Sequence, residues 1–151
     1  AYATFASGGK YCKPIAIDQI LDASGTSMAV PGADCTQAMD QGAADETAKT
    51  LRATSEPGGT AKDAVFGRPI AGKTGTTDEA ENTWFVGFTP QLSTAVWIGD
   101  ATESGRSLVG RTIGGVYFGK IYGSDLAAPM WRDYMSQAVA NDPALPIPSH
   151  G

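Results

Sequence analysis

Residues 67–77, GRPIAGKTGTT, contain the residue types for two unrelated chemistries. Read as G-x-x-x-x-G-K-[ST], they fit the loop that wraps the phosphates of a nucleotide. Their second half contains Lys73-Thr74-Gly75, a motif of enzymes that acylate a serine. One lysine cannot serve both chemistries, so the structural elements around Lys73 must decide between them.

A phosphate loop requires a buried strand before its first glycine and a helix that begins at the Lys-Thr pair, because backbone N–H groups at a helix N-terminus form the anion site. Only three apolar residues, 64–66, precede Gly67, and the sequence after Lys73, GTTDEAEN, leads towards a strand. The sequence therefore favours a strand over residues 70–76, followed by a polar turn over residues 78–82. The match to the phosphate loop is interpreted as accidental.

On such a strand the side chains alternate between two faces, with Lys73 and Gly75 on one side and Thr74 and Thr76 on the other. A twist or a bulge at Gly75 can bring them around one cleft. Because Gly75 has no side chain, the backbone of a ligand can approach it closely. Residues 73–76 are therefore predicted to line a binding cleft.

Two aromatic and β-branched runs follow the polar turn. Residues 82–88, NTWFVGF, and residues 92–99, LSTAVWIG, are joined by three residues, which is the spacing of a β-hairpin. Neither face of the second strand is plainly polar, so we expect the hairpin inside a sheet that is covered on both faces.

A helical stripe near the C-terminus predicts a helix that packs across this sheet through Trp131 and Met135. Pro129 fits the first turn of that helix. The stripe consists of Leu126, Ala127, Met130, Trp131, Tyr134, Met135, Ala138 and Val139.

The start of the chain carries weaker signals. Residues 1–5 read like the last turns of a helix that ends at Gly8-Gly9, as though the chain began in the middle of a fold. Residues 11–23 are expected to form one arm of a hairpin that turns at Ser24-Gly25. The residues expected in extended structure in this arm include Ile15 and Ile17.

A surface helix is predicted over residues 36–53, before a loop over residues 55–67 that is rich in glycine. The apolar positions of this helix recur at a spacing of three to four residues, as one buried face requires. They are Ala44, Ala48 and Leu51, and the polar face opposite consists of Asp45, Glu46, Lys49 and Arg52.

Composition limits the function classes. The chain has 151 residues, of which 42% are hydrophobic and 18% charged, and this is enough for one globular domain. The net charge is -5, and the 11 Lys and Arg residues are scattered, so the sequence offers no footprint for nucleic acid. No apolar run approaches the roughly 20 residues of a membrane span, and the N-terminus lacks the regions of a signal peptide.

The cysteines leave two alternatives open. Cys12 and Cys35 form no C-x-x-C pair, and the single histidine, His150, lies at the C-terminal end. Neither a metal site nor a thiol–imidazole nucleophile can be assembled from them, and no cofactor is expected. The sequence is compatible with a Cys12–Cys35 disulfide and with two free buried thiols.

Three segments, AGKTGTT, NTWFVGFTPQLSTAVWIG and GSDLAAPMWRDYM, together resemble the C-terminal half of the transpeptidase domain of penicillin-binding proteins. The hairpin and the last helix look most like the bifunctional class A group. The resemblance implies an α+β (α/β sandwich) fold of the penicillin-recognising serine transpeptidase/β-lactamase type, in which helices flank an antiparallel sheet. Residues 1–140 would be part of that domain, and residues 141–151 a proline-rich tail.

The resemblance also implies a reaction. In that family the serine of an S-x-x-K motif attacks the D-Ala-D-Ala end of a peptidoglycan stem peptide, an S-x-N motif and the Lys-Thr-Gly strand complete the site, and penicillins acylate the same serine. Carried over, Lys73 would hold the hydroxyl of the S-x-N serine and favour the terminal carboxylate of the substrate. Thr74 and Thr76 would hydrogen-bond that carboxylate, and the Thr76 N–H would be an oxyanion donor. Gly75 and Thr77 would complete the substrate-binding stretch.

This sequence departs from the family pattern in its first two motifs. No S-x-N occurs, and the single S-x-x-K, from Ser7 to Lys10, contains two glycines that break the helical turn needed to bring lysine and serine together. The nucleophile is therefore expected on an upstream segment or a second chain, and this chain alone is expected to be inactive.

The expected partners are peptidoglycan stem peptides and β-lactams, at the extracytoplasmic face of the bacterial cell membrane, with an N-terminal anchor outside this sequence. Three alternatives remain beside a D,D-transpeptidase. They are a carboxypeptidase or β-lactamase of the same fold, a sensor that binds β-lactams or muropeptides without turnover, and a structural lobe in which Lys73 is merely solvated.

Overall fold

The computed structural model describes residues 1–103 and 105–148, and these contain both helices and antiparallel strands. The helices are α1 Tyr2–Ala6, α2 Gln41–Arg52 and α3 Ala127–Ala138, and two short 3-10 turns cover Ala53–Ser55 and Lys62–Ala64. The strands are β1 Lys10–Tyr11, β2 Ile20–Leu21, β3 Ser27–Met28, β4 Thr36–Gln37, β5 Ala71–Thr76, β6 Asn82–Phe88, β7 Ser93–Gly99, β8 Arg111–Ile113 and β9 Val116–Phe118. The predicted α+β class is confirmed.

The main sheet is antiparallel, with β6 between β5 and β7. Its residues pair in an unbroken register, in which Gly75 lies opposite Trp84 and Trp84 lies opposite Trp97. The turn between β5 and β6 is closed by Thr77, whose Oγ1 accepts the backbone N–H of Asn82 at 3.1 Å. The predicted strand, polar turn and hairpin are confirmed, except that β5 and β7 each begin one residue later than expected.

Helix α3 covers one face of this sheet. Trp131 is fully buried, its ring centroid lies 5.1 Å from that of Phe85, and its Nε1 donates to the Thr94 carbonyl at 3.1 Å. The predicted packing of Trp131 and Met135 is confirmed. The prediction that every position of the stripe is buried was wrong, because Met130 and Tyr134 are each 54% exposed. A helix that crosses a flat sheet buries a narrow line of positions, and those two residues lie a quarter turn away from it.

One end of the opposite face is covered by α1, α2 and the C-terminal stretch. The cover expected on both faces of the hairpin is therefore only partial, because Trp84 and Trp97 on this face are 41% and 40% exposed. Phe88 and Ala71 form a buried cluster with Ala48 of α2 and with Ile147, which is 4% exposed. Residues 141–148 therefore contact the sheet through an apolar side chain. The division at residue 140 stays a prediction.

Helix α2 begins later than predicted. Asp40 caps its N-terminus by accepting the backbone N–H of Ala43 at 3.1 Å, which satisfies a free helix donor. Thr36–Gln37 instead forms β4, which pairs with β1. Asp45 was wrongly placed on the polar face, because it is only 3% exposed.

The N-terminal residues form a small lobe closed by two cysteines. Helix α1 ends where expected, since Gly8 and Gly9 follow it with positive φ angles of 66° and 88°. Cys12 and Cys35 form a disulfide at the base of the lobe, beside the β1–β4 pair. Within the lobe, β2 and β3 make a hairpin that turns at Gly25, as predicted. The extended structure expected at positions 15 and 17 is not a strand, because that segment finds no pairing partner among the described residues.

The glycine-rich region contains a hairpin that sequence reasoning missed. Strands β8 and β9 pair around Gly114-Gly115, whose φ angles are 58° and 82°. Two adjacent glycines between β-branched residues are a signal for this kind of turn. In the part of the chain that the structure describes, every helix is too short or too polar to cross a membrane.

Candidate active-site strand

Strand β5 lies at the edge of the main sheet, and its outer side carries backbone groups that point away from β6. The Gly72 carbonyl accepts a hydrogen bond from Thr54 Oγ1 at 2.7 Å, and the Thr74 carbonyl accepts one from Lys73 Nζ at 3.0 Å. In an antiparallel strand, the N–H and C=O of one residue point the same way, and the direction alternates along the chain. The N–H groups of Thr74 and Thr76 are therefore also directed outwards.

In the first half of this edge, side-chain hydroxyl groups occupy the outward-pointing backbone carbonyls. Besides the Thr54 bond to Gly72, Ser55 Oγ lies 3.5 Å from the Ile70 carbonyl, while it donates to the Arg52 carbonyl at 2.7 Å. Both hydroxyls come from the 3-10 turn Ala53–Ser55, which directly follows α2. The second half of the edge, Thr74 to Thr76, is the part that remains available to another chain or to a ligand.

Lys73 reaches this open half without any distortion of the strand. The register of β5 against β6 is continuous, so the bulge considered at Gly75 is absent. Instead, the lysine side chain folds over the edge, with Nζ 3.0 Å from the Thr74 carbonyl and 3.5 Å from Thr74 Oγ1. A long side chain at the rim of a sheet can cross to the other face. This brings an ammonium group and a hydroxyl group together at the edge.

Lys73 carries the positive charge of this edge. Among residues 1–103 and 105–148, no carboxylate lies within 4.0 Å of its Nζ. The side chain is exposed, so the charge is available to an anionic ligand. A nearby anion would be attracted more strongly once the site is closed from water, since screening then falls.

The other predicted site residues have distinct surroundings. Thr76 Oγ1 accepts the backbone N–H of Gly123 at 3.2 Å. Thr77 Oγ1 closes the β5–β6 turn, so the structure gives this hydroxyl a structural role. A Cβ placed on Gly75 would lie 3.5 Å from Trp84 Cβ, which is ordinary contact. Packing within this chain therefore does not demand a glycine at position 75.

Ser7 and Lys10 do not form a nucleophile and base. Ser7 is the C-cap residue of α1, and its Oγ donates to the backbone carbonyl of Lys10 at 2.7 Å and lies 3.1 Å from that of Thr4. Lys10 lies on β1, beyond the left-handed Gly8-Gly9 turn, instead of one helical turn after the serine. The geometry agrees with the expectation that this S-x-x-K has no catalytic duty.

Two large surface cavities lie away from β5. One of about 350 Å³ is lined by the 99–101 and 106–113 segments, and another of similar volume by residues near Trp97 and Glu103. Neither contains a residue of the Lys-Thr-Gly motif. Strand β5 presents an exposed edge and lines neither of these two cavities. The phosphate-loop alternative is also excluded, because a strand and not a helix contains Lys73.

An antiparallel sheet whose edge strand carries Lys73-Thr74-Gly75, covered on one face by α3, is the arrangement that the three motif segments predicted. Residues 1–121 match the family described as the penicillin binding protein transpeptidase domain. The chain belongs to this family, as its three motif segments predicted. It is 36% identical to penicillin-binding protein 1A of Aquifex aeolicus over 137 residues, which confirms the resemblance to the class A group. That alignment covers 89% of this chain and 17% of the relative, so the chain spans about a sixth of the relative's length.

Solved structures show the same fold. The D,D-transpeptidase domain of a peptidoglycan glycosyltransferase from Eggerthella lenta superposes with a TM-score of 0.70 at 19% identity, over 94% of this chain and 31% of that one. Penicillin-binding protein A from M. tuberculosis, solved as an imipenem acyl-enzyme complex, gives 0.63 at 20% identity, over 91% and 29%. Identities this low establish the fold alone.

Proposed function

We propose that this chain supplies one wall of the active site of a D,D-transpeptidase, which cross-links peptidoglycan stem peptides through an acyl-serine intermediate and is acylated by β-lactams. The observation that carries the proposal is the open half of the β5 edge, where Lys73 has no ionic partner among the described residues and the Thr76 N–H points outwards. These groups lie on the Lys-Thr-Gly segment of a chain whose family is that of the penicillin-binding transpeptidases. The family match does not favour a sensor, a β-lactamase or a structural lobe.

Each group on the edge has a separate task in this proposal. The substrate lies along the open edge as an additional extended segment, so that its acyl carbonyl oxygen meets the Thr76 N–H. When a serine oxygen attacks the carbonyl carbon, negative charge develops on that oxygen, and a pre-placed donor stabilises it by about 3 kcal/mol. The Lys73 ammonium and the Thr76 hydroxyl bind the terminal carboxylate of the substrate. The Thr74 hydroxyl, which donates to Thr60 in the free chain, can turn its proton towards the same carboxylate. Gly75 lets the substrate backbone approach, because no side chain stands in the way.

The serine itself is proposed to lie outside this chain. An acyl-enzyme requires a nucleophile beside a base, and Ser7 donates its proton to a backbone carbonyl. The S-x-x-K and S-x-N motifs are therefore proposed on an upstream segment or a second chain that closes the cleft over Lys73. We place the complete protein at the extracytoplasmic face of the bacterial membrane, held by an N-terminal anchor, where its peptidoglycan substrate is found.

Labelling with a fluorescent penicillin tests this proposal. In the complete protein, Lys73→Ala is expected to slow acylation by about two orders of magnitude or more, since it removes the charge that attracts the carboxylate. Ser7→Ala is the control and is expected to keep the rate of the unchanged protein. The isolated 151-residue chain is expected to remain unlabelled.

Two results would contradict the proposal in different ways. If the isolated chain became labelled and lost the label in Ser7→Ala, the nucleophile would lie within this chain. If the complete protein were labelled equally fast with and without Lys73, β5 would not belong to the site. Release of hydrolysed penicillin at each turnover would identify a β-lactamase instead of a transpeptidase.

A further inference from the structure

The loop between α2 and β5 brings a second hydroxyl group to the open edge. Thr74 Oγ1 donates a hydrogen bond to Thr60 Oγ1 at 3.2 Å, although the two residues are 14 positions apart. Thr74 Oγ1 also lies 3.5 Å from Lys73 Nζ. An ammonium group and two hydroxyl groups thus stand in a row at the half of β5 that is not closed by Thr54 and Ser55.

Thr60 is held in this place by its neighbours. Ala61 donates its N–H to the Thr54 carbonyl at 2.8 Å and is fully buried in the cluster around Trp131. Gly59 passes so close to the Thr54 backbone that a Cβ at this position would collide with the carbonyl. Because Thr54 is itself bonded to β5, the position of Thr60 is fixed relative to that strand.

The direction of the hydrogen bond between Thr74 and Thr60 leaves the hydroxyl proton of Thr60 without an acceptor among the described residues. A hydroxyl group has a single proton to donate, and Thr74 gives its proton to Thr60 while its oxygen faces the Lys73 ammonium. In the part of the chain that the structure describes, the Thr60 hydroxyl donates its own proton to no protein acceptor, and the residue is exposed. The free donor of the row is therefore on Thr60, beside the positive charge of Lys73.

We infer that Thr60 is a further carboxylate-binding residue of this site. Its hydroxyl donates to the terminal carboxylate of the stem peptide, or to the equivalent carboxylate of a β-lactam, next to Lys73 and Thr74. A carboxylate fits this row because it accepts several hydrogen bonds at once and carries the opposite charge to the ammonium. The inference rests on the proposed function, and it adds to the Lys-Thr-Gly strand a residue from the preceding loop.

The test compares two substitutions and two ligands in the complete protein. Thr60→Val removes the hydroxyl at nearly constant shape, whereas Thr60→Ser keeps it. The second-order rate constant of acylation is measured with benzylpenicillin, which has a free carboxylate, and with its methyl ester, which does not. We expect Thr60→Val to lower the benzylpenicillin rate about tenfold, because a hydrogen bond to a charged group is lost. The rate with the ester should change less than about twofold, and Thr60→Ser should keep the original rate with both ligands.

Other results would overturn the inference. An unchanged benzylpenicillin rate in Thr60→Val would show that the hydroxyl is not used. An equal loss with the ester would show that Thr60 shapes the site without touching the carboxylate. Both results presuppose that the unchanged protein is acylated, so they are distinguishable from failure of the proposed function, in which that protein does not react.

Discussion

Gly123 packs against the binding strand, and its replacement by alanine should damage both the sheet and the site. A Cβ on Gly123 would lie 2.3 Å from the backbone oxygen of Trp84 and 3.1 Å from that of Gly75. Both oxygens belong to a hydrogen-bonded strand pair and cannot move without loosening it. The backbone at Gly123 is not left-handed, so the expected damage is steric and not conformational.

The size of the effect follows from these contacts. Forcing one extra methyl group into a packed site typically costs about 1 to 3 kcal/mol. Relief by moving Gly123 away would break the bond from its N–H to Thr76 Oγ1, which measures 3.2 Å and contributes about 1 kcal/mol. Gly123→Ala should therefore destabilise the protein by about 2 to 4 kcal/mol. For a domain of 150 to 250 residues, that corresponds to a fall in Tm of roughly 4 to 16 °C, and the fall is smaller in a larger domain.

Thermal unfolding of the complete protein, followed by near-UV circular dichroism, measures this loss. Gly119→Ala is a matched control, because a Cβ there would meet nothing within 4 Å and the backbone is again not left-handed. The control should change Tm by no more than about 2 °C, since its free-energy effect is below about 1 kcal/mol. Equal Tm values for Gly123→Ala and Gly119→Ala would refute the reasoning. They would mean that the 122–124 segment can retreat from β5 without cost.

Two further predictions concern the Cys12–Cys35 disulfide and the stability of the chain in acid. Denatured, unreduced protein should contain no titratable thiol from Cys12 and Cys35, and two titratable thiols would contradict the disulfide. The two cysteines are 23 positions apart, so reduction should lower the free energy of unfolding by about 3 kcal/mol. The Thr102 hydroxyl and backbone N–H groups lower the pKa of Asp100 from 3.8 to about 2. Because the pKa of Asp100 is lowered in the folded state, its carboxylate stabilises the fold fully above about pH 4, and this stabilisation is lost as the pH falls through 2. The Tm difference between Asp100→Asn and the unchanged protein should therefore shrink over that interval. A difference that is constant from pH 5 to about 2 would contradict the assignment.

Much of the fold could be read from local patterns. Alternating aromatic and β-branched residues predicted β6 and β7, and the position of Trp131 within a helical stripe predicted its burial against them. Patterns of this kind record which side of one element is buried, and they are therefore visible along the chain. Short elements were read less well, because two-residue strands such as Thr36–Gln37 depend on a partner from elsewhere.

By itself, the sequence determined the family, the Lys-Thr-Gly strand and the expectation that a nucleophile is missing, since these depend on residue order within single segments. Only the tertiary structure decided which groups share the open edge. It places Thr60 beside Thr74 across 14 residues and Gly123 against Thr76 across 47. Such contacts join a loop to a strand, and they depend on how buried elements pack against one another. No periodicity along the chain records that packing, because the loops that make the contacts contain no repeated pattern of burial.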